Sequence, residues 1–139
     1  MLIQDVMSRN VECIPAQATL KDAATRMEAL NVGSLPVCDD DRLVGILTDR
    51  DITIRSFADG MDPRMKIVRD VMTPKIVYCF EDQGVEEALQ VMKENQIRRL
   101  PILNEQKQVI GIISLGDLAT DTNDKESVGK TLDRISRPE

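Results

Sequence analysis

Gly45-Ile46-Leu47-Thr48-Asp49-Arg50-Asp51 returns as Gly111-Ile112-Ile113-Ser114-Leu115-Gly116-Asp117. Both stretches run from glycine through two aliphatic residues to a hydroxyl, with an aspartate three places beyond it. Upstream, Leu35-Pro36-Val37 returns 65 residues later as Leu100-Pro101-Ile102, and Asp5-Val6-Met7 returns at the same spacing as Asp70-Val71-Met72. One inserted residue lies between the second block and the third. Three blocks in one order at nearly one offset identify a tandem duplication.

The blocks fix the local structure of each half. Leu20, Ala23, Ala24 and Met27 fall at the spacing of one helix face, and Val85, Ala88, Leu89 and Met92 repeat it. Short β-prone pieces precede these helices, Val11 to Ile14 and Ile76 to Cys79. Two more follow each: Ser34 to Cys38 and Leu43 to Leu47, then Arg99 to Leu103 and Val109 to Ile113. Asp39-Asp40-Asp41 and Asn104 to Lys107 supply turn chemistry between them. Second helices start at Thr48 and Ser114. The expected fold is α+β, with tandem β-α-β-β-α repeats at 1–60 and 61–121. A half of about 60 residues buries too little surface to be comfortable alone, which predicts packing with pseudo-twofold symmetry and two related clefts at the seam. Asp59 to Arg69, containing Gly60 and Pro63, reads as a linker. The tail, 122–139, starts polar and then carries Val128, Leu132 and Ile135 at helical spacing, a short helix docked on the body or a partner chain.

Composition removes several function classes. The 139 residues include 24 acidic against 18 basic side chains, a formal charge of −6, which disfavours nucleic acid and anionic membranes as partners. Without histidine, the His-based acid–base pairs, triads and zinc sites are gone. Only Phe57, Phe80 and Tyr78 are aromatic, too few for a base-stacking platform. No stretch approaches the ~20 apolar residues of a membrane span, and Met1 to Asn10 lacks the order of a signal peptide. A cytoplasmic, non-catalytic protein is expected. An enzyme would have to use carboxylates such as Asp49, Asp51 or Asp117, and no second motif supports one.

The tandem β-α-β-β-α pattern, with Leu-Pro-Val/Ile on the second strand and the Gly45–Asp51 and Gly111–Asp117 blocks leaving the third, resembles a CBS-domain pair, also called a Bateman module. The resemblance covers residues 1 to 121. It implies a regulatory module that binds an adenine nucleotide between its repeats and passes occupancy to a partner, often as a homodimer. AMP is the first ligand to expect, with ADP, ATP and S-adenosylmethionine as alternatives and no required cofactor. The regulated protein is unknown.

Two readings of the repeated block stand side by side. Thr48 with Asp51, and Ser114 with Asp117, make capping boxes in which hydroxyl and carboxylate exchange hydrogen bonds with backbone N–H groups. The same atoms can hold a ribose diol or a phosphate oxygen. The halves differ before the second strand: Arg98 and Arg99 stand where the first repeat has Gly33 and Ser34. Arginine presents a planar fork of donors to phosphate, and the family resemblance puts a phosphate contact at Arg99; pairing with surface acids is the other reading. The second cleft is therefore expected to bind better, through Ser114, Asp117, Arg99 and Arg98. By the family pattern Ser8 and Val11 join it from the segment before the opposite first strand. The weaker first cleft holds Thr48, Asp51 and Arg50, joined by Thr73 and Ile76.

Cys13 and Cys38 fall on the first and second strands of one repeat, where adjacent strands bring sulfurs together. They carry the alternative function, a redox- or metal-responsive interaction module with no nucleotide ligand. Buried, reduced packing is the ordinary state of such cysteines.

Overall fold

The computed structural model describes residues 1–9, 11–74, 76–121 and 125–136. Each repeat builds a three-stranded sheet, β1 (Ile14–Pro15), β2 (Ser34–Asp39) and β3 (Arg42–Thr48), then β4 (Cys79–Phe80), β5 (Arg99–Leu103) and β6 (Val109–Ser114). In both sheets the first pair is parallel and the second antiparallel, in the order β1-β2-β3 and β4-β5-β6. The helices are α1 (Leu20–Leu30), α2 (Asp49–Ile52), α3 (Val68–Val71), α4 (Val85–Asn95), α5 (Leu115–Asp121) and α6 (Lys125–Ser136). The α+β class and the two β-α-β-β-α-like halves follow the sequence pattern.

The first strands depart from expectation. They occupy Ile14–Pro15 and Cys79–Phe80, not Val11–Ile14 and Ile76–Cys79, because each is an edge strand held by only two pairings to its parallel neighbour. Helix α1 starts where Thr19 accepts from the Asp22 N–H at 3.1 Å and ends where Asn31 turns left-handed. It buries Leu20, Ala23 and Met27, while Ala24 is exposed, so its apolar face is narrower than the spacing suggested. Helix α4 buries Ala88, Leu89 and Met92 and ends at left-handed Gln96. Past Ile52, α2 widens into a π turn over Thr53–Phe57, with the Ala58 N–H donating to the Thr53 carbonyl.

The chain divides into two compact units, Glu12–Ile76, which holds β1–β3, and Met1–Val11 with Val77–Glu139, which holds β4–β6. In the β1–β3 unit, Ile14, Leu20, Leu35, Val37, Leu47, Val68 and Val71 form the core. In the β4–β6 unit, Ile3, Met92, Leu100, Ile102, Ile113 and Leu118 do so, joined by Val128 of α6. The repeated Asp-Val-Met therefore supplies core to each unit, at the start of the chain in one and near the C-terminal end of Glu12–Ile76 in the other, with Met7 and Met72 buried.

Asp59 to Arg69 is not the free linker that its glycine and proline suggested. Leu20 and Lys21 donate to the carbonyls of Lys66 and Pro63, and Val68 and Arg69 donate to those of Ala18 and Ala16. The segment satisfies N–H groups at the start of α1 that a helix cannot satisfy internally. Helix α6 packs on the β4–β6 unit and buries Val128 and Thr131; residues 122–124 and 137–139 lie outside the described residues.

Two glycines explain how the Asp-Val-Met segments reach the third strands. Residues Ile46 and Thr73 pair through mutual N–H to carbonyl bonds of 3.0 and 2.9 Å, as do Ser8 and Ile112 at 2.9 Å each. A Cβ at Gly45 would lie 2.5 Å from the Thr73 carbonyl oxygen, and one at Gly111 would lie 2.7 Å from Met7 Sδ and 2.9 Å from the Ser8 carbonyl oxygen. Only glycine allows backbone to cross backbone at that separation.

Candidate functional site

In the β4–β6 unit, β6 runs into α5 at Ser114. The Ser114 Oγ accepts from the Asp117 N–H at 3.0 Å, and Asp117 Oδ2 accepts from the Ser114 N–H at 3.0 Å, a complete capping box. That consumes one oxygen of Asp117; Oδ1 takes no hydrogen bond from the described residues. Across the sheet Arg99 is the register partner of Ser114, and the Arg98 carbonyl accepts from the Leu115 N–H at 2.8 Å. Both arginine side chains are exposed. A cavity of about 350 Å³ opens beside them, lined by Arg98, Arg99, Ser114 and Gly116 with Val128 and Leu132 from α6.

Of the residues expected here, the structure groups Ser114, Asp117, Arg99 and Arg98 at the β6–α5 junction. Ser8 pairs with Ile112, two residues before Ser114. Val11 is half-buried in the same unit. Arg98 is not free for a ligand alone, because its Nη2 donates to the Ser136 hydroxyl at 3.4 Å. Sequence reading missed the wall from α6; the Val128 and Leu132 spacing signalled a docked helix but not where it docks.

The β1–β3 unit repeats the junction with different neighbours. Thr48 and Asp51 form the same box, with both bonds 3.0 Å. Here the second oxygen of Asp51 is engaged: the Thr73 hydroxyl donates to Oδ1 at 3.5 Å, and Arg55 Nε lies 4.0 Å from it. Arg55 was not foreseen, since one arginine a helical turn beyond an aspartate is unremarkable in sequence. Where the other unit has Arg99, this one has Ser34, whose Oγ is buried with no partner among the described residues. Arg50 faces a shallow cavity with Asp49, Thr53 and Ile54, which neither Thr48 nor Asp51 lines, and Ile76 is exposed.

The cysteines are free thiols. The Cys38 thiol hydrogen-bonds to the Cys13 sulfur, which holds Cys13 below the ordinary thiol range and, with burial, pushes Cys38 up. Among the described residues no group of three or more Cys, Asp or Glu side chains is placed to hold a metal ion. Tyr78 and Phe80 meet edge to face, ring centres 5.4 Å apart, so each packs on the other. No helix among the described residues is long and apolar enough to cross a membrane.

The CBS domain family model matches this chain twice, over residues 3–56 and 68–121. The chain belongs to the CBS-domain family. It is 40% identical over 134 residues to the CBS domain-containing protein YhcV of Bacillus subtilis, covering 96% of this chain and 94% of that one. Among solved structures, Hypoxic Response Protein I with two coordinated zinc ions superposes with a TM-score of 0.81 at 37% identity, covering 88% of this chain and 99% of the other. A CBS-domain pair in complex with 5′-methylthioadenosine and S-adenosyl-L-methionine matches with a TM-score of 0.74 at 25% identity, covering 86% and 97%. The chain is thus a CBS pair, a regulatory module by family.

Proposed function

We propose that this CBS pair is a non-catalytic sensor whose β4–β6 unit binds an adenine nucleotide, AMP first, and reports occupancy to a partner protein. The observation that carries the reading is the pairing of Arg99 with Ser114 across β5 and β6, which sets an arginine opposite the residue that Asp117 caps. Asp117 Oδ1 is left to accept from a ribose hydroxyl, and Arg99 suits a 5′-phosphate. The related pair in complex with 5′-methylthioadenosine and S-adenosyl-L-methionine supports an adenosyl ligand of this class. In this reading 1–60 and 61–121 are the functional repeats and 122–139 their tail. Homodimerisation belongs to the same proposal, supported by Ile54 and Phe57, which stand 48% and 61% exposed on the π turn.

Calorimetric titration of the chain with AMP, ADP, ATP and S-adenosylmethionine tests it. Saturable binding near one per chain, lost in Arg99→Ala, is the expected result. No heat with any of the four at two temperatures would refute the sensor.

A further inference from the structure

Strand β1 runs parallel to β2 with Ile14 opposite Val37 and Pro15 opposite Cys38. Side chains alternate across a strand, so Cys13 lies on the face shared by Pro15, Pro36 and Cys38. On that face the two thiols sit diagonally on adjacent strands, two residues out of register, and each is the largest influence on the other's ionisation. Their surroundings differ: Cys13 is half-buried, whereas Cys38 is 7% exposed. The segment carrying Cys13 is fixed by Arg26, whose Nη1 donates to the Cys13 carbonyl at 3.3 Å. One thiol is therefore reachable from solvent, and the second is held against it from within.

We propose that Cys13 and Cys38 are a thiol-oxidation site that closes to a reversible intramolecular disulfide when a low-molecular-weight disulfide is the oxidant. Cys13, as thiolate, attacks one sulfur of the oxidant, forming a mixed disulfide and expelling the first thiolate, which takes up a proton from water. Cys38 then gives its proton to solvent and attacks the Cys13 sulfur, breaking the mixed disulfide and expelling the second thiolate. Two protein thiols are oxidised and one disulfide is reduced to two thiols. The hydrogen bond from Cys38 favours the thiolate on the accessible residue, the order the exchange needs. The bond would fasten β1, held by two pairings alone, to β2 across a loop containing α1.

Cys79 is the internal control. It lies in the β4–β6 unit, 1% exposed, where burial and the Glu87 charge push its thiol up to about 11. The reduced full chain would be treated with oxidised glutathione, quenched with iodoacetamide and digested with trypsin. The expected product is a cross-link between peptides 10–21 and 27–42, reversed by dithiothreitol, with Cys79 alkylated. Cys38→Ser should stop at a stable Cys13–glutathione adduct, and Cys13→Ser should leave Cys38 unmodified. A persistent adduct on wild-type Cys13, a cross-link between chains, or reaction at Cys13 no faster than at Cys79 would overturn the proposal.

Discussion

Arg55 stands one helical turn past Asp51, its Nε 4.0 Å from Oδ1, while its Nη1 donates to the Val71 and Met72 carbonyls at 3.2 Å each. The carboxylate that caps α2 is thereby tied to the closing segment of its own unit. Four residues past Asp117 the sequence has Asp121 in place of an arginine. The two boxes are alike as caps and unlike as acceptors. Asp117→Ala is expected to weaken AMP binding about 10- to 100-fold, the loss of a charge-assisted hydrogen bond, while Asp51→Ala leaves it within about twofold. Calorimetry on both variants, each shown folded by circular dichroism, decides; the opposite ranking would move the site to the β1–β3 unit.

Glycine at 45 and 111 is required by close approach. Alanine at 45 would drive Cβ to 2.5 Å from the Thr73 carbonyl oxygen, a backbone atom fixed in a two-bond bridge. At 111 the nearest atom is the flexible Met7 Sδ, though the Ser8 carbonyl oxygen is also near at 2.9 Å. Gly45→Ala should destabilise by roughly 1–3 kcal/mol, as overpacking does, and Gly111→Ala by less. Urea unfolding measures both, and a Gly45→Ala midpoint matching wild type would show that the crossing relaxes freely.

Much of this was legible because the duplication printed each signal twice. The box at Ser114 was readable from one hydroxyl and one aspartate, since a cap is a local device. Arg99 was readable by its contrast with Ser34. Contacts between segments far apart in the chain were not. Arg55 reaching Val71 and Met72, Arg98 reaching Ser136, and Lys66 closing the start of α1 depend on tertiary placement, which no local spacing encodes. The first strands were misplaced for a related reason: β-propensity marks a stretch suited to a sheet, but the partner strand decides which residues pair.

Helix α6 holds to its unit through unequal apolar contacts. Val128 is 7% exposed and belongs to the core, whereas Leu132 is 43% exposed at the cavity beside Arg98. Val128→Ala should cost about 1–3 kcal/mol, the transfer of two methyl groups plus a small cavity. Leu132→Ala should stay within about 0.5 kcal/mol in stability, as surface substitutions do. Thermal melts rank the two; equal losses would mean that Leu132 is buried in solution.

Cys79 ties stability to alkaline pH. Burial first, then the Glu87 charge, raises its folded pKa from the ordinary 9.0 to about 11. Below the unfolded value the thiol is neutral in both states and its contribution is complete. Between the two values the unfolded chain releases a proton that the folded chain keeps, so the unfolded state gains and stability falls. The full span amounts to about 2–3 kcal/mol. Cys79→Ala lowers stability at every pH by opening a cavity, but it removes this slope. Urea unfolding of both proteins under reducing conditions at pH 8, 9, 10 and 11 compares the slopes directly. The wild-type curve should fall more steeply above pH 9, converging on the variant; parallel curves would show that Cys79 ionises as readily folded as unfolded.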